Sequence, residues 1–238
     1  MATIALPGDV VAVPDDPAAL RLGPGLTQLL GAVTAVKAGL VCEDSGNRLW
    51  LNASQKRYIP SVGEPVLAVV QAKHAENFRV DIGGPHPALL PVLAFEGATK
   101  RNRPNLDVGA LVYARVSLAN KDMDPEIECV NPATSKADGF GELKGGTVVK
   151  CSLGMCRSLM AKNSPILEGL SSLFPFETAI GMNGRVWINA ETTRQIVLAA
   201  NFIRAADGAP PSRIPSMLKA LKKRVEETDD GDDMDADS

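Results

Sequence analysis

Proline or glycine interrupts this chain at short intervals, and few apolar runs extend far before meeting one. Seventeen prolines and 21 glycines are scattered through 238 residues. Proline removes a backbone donor and fixes φ, and glycine supplies the positive φ that tight turns need. Such punctuation suits many short strands joined by turns and leaves little room for long helices. The apolar residues make up 45% of the chain, mostly Val, Ala, Leu and Ile, enough for a packed interior. The length allows one large domain or two to three small ones. No apolar run approaches the ~18 residues of a membrane span, so no membrane contact is expected. The N-terminus lacks the basic region and apolar stretch of a secretory signal.

Three modules follow from the pattern. Residues 1–62 break into short apolar pieces at 10–13, 31–36, 39–42 and 48–51, with a turn at Ser45, Gly46 and Asn47; this predicts an N-terminal β-domain. Residues 63–131 hold five strand-like runs, at 65–73, 77–82, 88–93, 110–118 and 126–130. Phe78, Arg79, Val80, Asp81 and Ile82 alternate apolar and polar, the period of a half-buried strand. Five such strands in one short domain predict an OB-type barrel, a fold that binds oligonucleotides on one face and its adjoining loops. Lys73, His74, Phe78 and Arg79 fall near that face. Phe78 is equally suited to the core, and His74 to a solvated loop.

Residues 132–208 predict an α/β module with a leading glycine-rich loop or linker at 132–146. Its order is β-α-α-β-β-α, that of a KH domain. Ser164 is placed to cap the second helix, with Pro165 in the first turn, and Asn189 to cap a third helix over 191–205 that carries Ile196, Val197, Ala200 and Ile203. A KH domain ordinarily clamps phosphates with a Gly-x-x-Gly loop between its first two helices. Here that junction is Ala161, Lys162, Asn163 and Ser164, without glycine. A Gly-x-x-Gly sequence does occur, Gly181, Met182, Asn183 and Gly184, but between two predicted strands. Asn-Gly between strands is a hairpin signal, so these four residues are read as a structural turn rather than a phosphate clamp. Arg185 beside it is free to meet RNA, and Trp187 reads as a packing or partner-facing anchor.

The functional signal is a basic loop within residues 95–105. Lys100, Arg101 and Arg103 fall within four positions, and Pro104 disfavours helix at Arg103. Two readings apply: a solvated charged turn, or an extended loop presented to an anionic ligand, for which nucleic acid is the natural candidate. The net charge of −3 conceals a basic body. Eight of the 28 acids crowd into residues 226–238, which contain no base, so the remaining chain carries 20 acids against 25 bases. That tail is almost devoid of apolar residues and is expected to be disordered, either as an inert solubilising segment or as an internal competitor for the basic surface. With two histidines and its dense carboxylates confined to the tail, the chain offers no catalytic residues, and no cofactor is expected. Cys42, Cys129, Cys151 and Cys156 have no metal-binding spacing and read as free thiols, so no metal site is expected.

Three segments carry a family resemblance. They are residues 95–105, residues 119–126 with Asn120, Lys121, Asp122 and Met123, and residues 181–187 with Gly181, Asn183, Gly184, Arg185 and Trp187. In this order they resemble the third exosome component, a cap subunit family of the eukaryotic RNA exosome, over roughly residues 1–206. The resemblance implies an N-terminal β-domain, an S-one-type OB barrel and a divergent KH domain. It implies a non-catalytic subunit that sits with other cap subunits on a ring of RNase-PH-like subunits and lines the entry for single-stranded RNA. It further implies a part in 3'-to-5' RNA processing, including ribosomal RNA, and decay in the nucleus, nucleolus and cytoplasm. Lys100, Arg101 and Arg103, with Lys73 and Arg79, are the candidate RNA contacts. A free-standing RNA-binding protein with the same modules, or the sister OB/KH cap subunit, is the alternative. The acidic tail, in residues 209–238, is the departure from the family.

Overall fold

Short strands dominate the computed structural model, which describes residues 3–13, 20–44, 47–53, 57–120 and 122–232, apart from the side chains of Pro211 and residues 226–232. The chain divides into two compact units, Met1–Gln55 and Lys56–Ser238. The first is all β. Strands β1 (Ile4–Ala5), β6 (Gly39–Asp44), β7 (Arg48–Asn52) and β3 (Arg21–Leu22) form one sheet in the order β1-β6-β7-β3. Strands β2 (Val10–Ala12), β5 (Ala32–Ala35) and β4 (Leu26–Leu29) form a second, in the order β2-β5-β4. Ala5, Ala35 and Leu51 make a small core with Val11, Leu26 and Val41 packed against it. The expected turn residues Ser45 and Gly46 lie outside the described residues.

The second unit begins with a barrel. Strands β8 (Pro65–Lys73), β9 (Asn77–Asp81), β10 (Ala88–Pro91), β12 (Glu126–Glu128) and β11 (Leu111–Leu118) pair in that circular order, and β11–β12 pairing closes the ring. Alternation sets the interior. Phe78 and Val80 on β9, and Val112, Ala114 and Val116 on β11, are fully buried while their neighbours face outward. Phe78 is therefore a core residue. The stretch 132–146, expected as a linker, instead carries β13 (Gly141–Leu143), which pairs with β11 on the barrel wall. Its glycines conceal this, because a three-residue strand contributes too little alternation to be seen.

The KH module follows as β14 (Thr147–Lys150), α1 (Leu153–Met160), α2 (Pro165–Ser171), β15 (Phe176–Gly181), β16 (Arg185–Ala190) and α3 (Thr193–Ala206). Its antiparallel sheet has the order β14-β16-β15. Two expected caps are corrected. Ser164 occupies the cap position of α2, but its hydroxyl is buried and makes no hydrogen bond among the described residues. Asn189 lies inside β16, opposite Glu177, and the cap of α3 is Thr192. Thr192 wins because Gln195 completes a reciprocal capping box, with each side chain meeting the other's backbone N–H. Val197 points to solvent, and the packed face of α3 is Ala199, Ala200, Phe202 and Ile203.

The C-terminal segment is also corrected. Residues Ile214–Asp232 form α4, so the acidic stretch is helical as far as Asp232; residues 233–238 lie outside the described residues. Ile214, Leu218, Leu221 and Val225 recur at helical spacing and join the KH core, with Leu218 lying over Gly169 of α2. Removing the α3 cap with Thr192→Ala should lower stability by about 1 kcal/mol in a urea titration, without changing barrel contacts.

Candidate nucleic-acid interface

The basic loop between β10 and β11 is anchored at both ends. Phe95 packs edge-on to buried Phe78, with ring centroids 6.5 Å apart, and bridges to Cys129; Leu106 is buried in the barrel core. Between these anchors, Thr99 and Asn102 lock a tight turn. The Thr99 N–H donates to the Asn102 carbonyl at 2.9 Å, and the Asn102 N–H donates to Thr99 Oγ1 at 2.9 Å. Lys100 and Arg101 occupy the two corners of this turn and are exposed. Neither side chain has an ion-pair or hydrogen-bond partner among the described residues.

Arg103 plays a different part. Its guanidinium donates from Nε to the Lys100 carbonyl at 3.2 Å and from Nη1 to the Ala75 carbonyl at 2.7 Å. It braces the loop against the β8–β9 hairpin. Lys73, at the end of β8, donates to the side chain of Asn105 and adds a second tie. Arg79 is exposed on the outer side of β9, with no ion-pair or hydrogen-bond partner among the described residues. The hairpin thus brings Lys73 and Arg103 to the same junction, with Lys100 and Arg101 at the tip of the loop they hold. His74 is exposed in the hairpin turn. Lys121 lies outside the described residues.

The Gly-x-x-Gly sequence faces inward. Strand β9 pairs with β8 only from Val69 onward, which leaves the edge of β8 at residues 65–67 open. The Gly181–Gly184 turn fills it. The Met182 N–H donates to the Pro65 carbonyl at 2.8 Å. Asn183, 7% exposed, accepts from the Leu67 N–H at 3.2 Å and donates to the carbonyls of Leu67 and Ile82, each at 2.8 Å. Gly181 is needed for close approach, since a Cβ there would lie 2.7 Å from the Leu67 nitrogen. Gly184 has φ +78°, and a Cβ would come within 2.8 Å of the Cys151 carbonyl oxygen.

Arg185, a residue the sequence left free to meet RNA, is engaged here instead. Its Nη2 pairs with Asp81 Oδ2 at 2.5 Å, and Nη1 donates to the Asp81 carbonyl at 2.9 Å. Burial pushes the Asp81 carboxyl up, but hydrogen bonds from Arg185 and the Gly83 N–H, with the Arg185 charge, outweigh it and hold the group below its ordinary range. Trp187 packs with Leu67 and Ala179 between barrel and KH sheet, and its indole N–H donates to the Gly145 carbonyl at 2.9 Å. Among the described residues, no group of three or more His, Cys, Asp or Glu side chains is placed to hold a metal ion.

A closed five-stranded barrel with a cationic loop, fused through its wall to a KH module, defines a nucleic-acid-binding protein of the S1-plus-KH class. Family models match as Exosome complex component RRP40, S1 domain, over residues 58–141, as KH domain over 146–194, and as Exosome complex exonuclease Rrp40 N-terminal domain over 20–57. The Schizosaccharomyces pombe exosome complex component rrp40 is 43% identical over 87% of this chain and 88% of its own length. The Homo sapiens exosome complex component RRP40 is 40% identical over 78% of this chain and 70% of its own. A crystal structure described as an exosome complex RNA-binding protein shares the fold at 23% identity, with a TM-score of 0.59, covering 72% of this chain and 96% of that one. The chain belongs to the Rrp40 family of exosome complex components.

Two outcomes test the interior turn. Asn183→Ala should cost on the order of 2–3 kcal/mol, because the buried Leu67 N–H and Ile82 carbonyl lose their partner while the Leu67 carbonyl keeps only Arg185 Nη1, and Gly184→Val should also lower the melting temperature. A normal melt with selectively weaker RNA binding would make the turn a phosphate clamp. The Asp81 carboxyl has a depressed folded pKa, so its contribution is present above the unfolded value, near pH 3.9, and is lost as pH falls through the folded one. Asp81→Asn should reduce stability at neutral pH and flatten the acid limb of the stability curve.

Proposed function

We propose that this chain is a non-catalytic RNA-binding cap subunit of the exosome, seated with the other cap subunits on a ring of RNase-PH-like subunits at the entry for single-stranded RNA. It acts in 3'-to-5' RNA processing and decay, in the nucleus, nucleolus and cytoplasm. The observation that carries the reading is the Lys100–Arg101 corner. Two cations without an anionic partner among the described residues are held at the tip of a hydrogen-bonded turn, on a barrel of the S1 type, in a chain of this family. Maintaining unneutralised cations at fixed positions suits a surface that holds a polyanion without reading its sequence. Arg103 and Lys73 contribute charge while bracing the loop, and Arg79 extends the basic surface along β9. Chemistry on the RNA belongs to associated nucleases, and no cofactor is required.

The reading is tested by salt titration. Replacing Lys100 and Arg101 by Ala should leave the melting curve unchanged and reduce the slope of log affinity against log salt by about 1.4, given ~0.7 per single-strand phosphate contact. Arg103→Ala should instead loosen the loop as well as remove charge. An unchanged slope in the double variant would reduce the loop to surface decoration. The purified chain should leave RNA intact with or without magnesium or phosphate; breakdown abolished by a point substitution in this chain would overturn the scaffold role.

A further inference from the structure

A cavity of about 290 Å3 opens directly beneath the cationic turn. Its walls are the rings of Phe95 and Phe140 with Pro104 and Cys129, and its polar edge is made by Asn102 and Glu96. Both phenyl rings are half-buried, each held from behind by another ring: Phe95 by Phe78, and Phe140 by Tyr113 at 5.1 Å between centroids. The walls are preformed. Glu96 Oε2 accepts from the Ala137 N–H at 2.7 Å, tying the basic loop to the 131–138 loop. That second loop is knotted by Asn131 and Thr134, both donating to Asp138 Oδ2, at 2.8 and 2.7 Å. The Asn102 amide group has no hydrogen-bond partner among the described residues, although its backbone is fully engaged in the turn.

We propose that this cavity is a nucleobase pocket: it receives one unstacked base of a single strand whose phosphates lie on Lys100 and Arg101. The inference rests on the RNA-binding reading above and goes beyond it. An aromatic-walled slot with one free amide beside two exposed cations has the three elements that hold a single-stranded nucleotide: a ring face for the base, a polar group for its edge, and charge for its phosphate. An aliphatic ligand would leave the amide and the cations unused, and a small acidic one would leave the aromatic walls unused. The base stacks on Phe140 or Phe95, and the Asn102 amide, which both donates and accepts, meets its edge without strong preference among bases.

The test uses the full chain and a short oligouridylate substituted throughout with 5-iodouridine, which crosslinks to aromatic rings on irradiation. The adduct should map to Phe95 or Phe140. Ala98→Leu, which fills the cavity from a position outside the basic turn corners, should remove the adduct and weaken binding about tenfold with an unchanged salt slope. The Lys100 and Arg101 double variant should show the converse, a flatter slope with the residual adduct still on the same rings. If Ala98→Leu melts early, Asn102→Ala, which removes no packed group, decides by the same readouts. Adducts elsewhere, with full affinity in Ala98→Leu, would overturn the pocket and leave RNA binding by the loop intact. Absence of any RNA binding by the unaltered chain would overturn the underlying reading and the pocket with it. An adduct that vanishes when the chain enters its complex, with the cavity covered by a protein neighbour, would assign the site to that neighbour instead.

Discussion

The short edge of β8 that β9 leaves open at residues 65–67 is the constraint on which the second unit depends. A barrel strand with an open edge presents backbone donors and acceptors that must find partners once buried. The KH module supplies them from a single turn: a backbone N–H from Met182 and both ends of the Asn183 amide. The side chain of Asn183 behaves as a fragment of strand, with one acceptor and two donors matched to the groups that β9 leaves unmet. The Arg185–Asp81 pair and the Trp187 cluster add an ion pair and apolar packing to this contact. A Gly-x-x-Gly sequence that elsewhere grips phosphate is here spent on backbone of the same chain.

The basic loop, beside the other end of β8, is held by different contacts. The loop that presents Lys100 and Arg101 has little apolar content of its own, and its order comes from Phe95 and Leu106 at its ends and from Arg103 and Lys73 at its side. The three clustered cations thus differ in what they do. Two remain available at the turn corners. The third gives up donors to two carbonyls, which keeps the corners in place.

Much of this was legible residue by residue. Alternation from Phe78 to Ile82 predicts a half-buried strand, and it forms with Phe78 and Val80 inward. Asn183 and Gly184 between apolar runs predict a hairpin, and Gly184 indeed takes φ +78°. What escaped was of two kinds. Competing signals misled where two capping residues lay close together: Asn189 and Thr192 both suit a helix start, and only the strand pairing of Asn189 with Glu177 decides between them. Weak signals were overlooked where an element is short, as in β13, or where a conspicuous neighbour hides it, as the acidic tail hides the amphipathic start of α4.

The sequence by itself determined the local and the periodic: short strands, the order β-α-α-β-β-α, the basic character of one loop, and the turn chemistry at its glycines. These depend on neighbouring residues and on spacing, which are written along the chain. Only the tertiary structure decided which cations are available and which are consumed. Arg185 and Arg103 look as free in sequence as Lys100 and Arg101. Their partners, Asp81 and the Ala75 carbonyl, lie 104 and 28 residues away. The same holds for the cavity, whose two rings stand far apart in sequence and meet only because β13 and the loop before it fold back onto the barrel wall. Long-range pairing carries no local periodicity, so it becomes visible only once the chain has closed on itself.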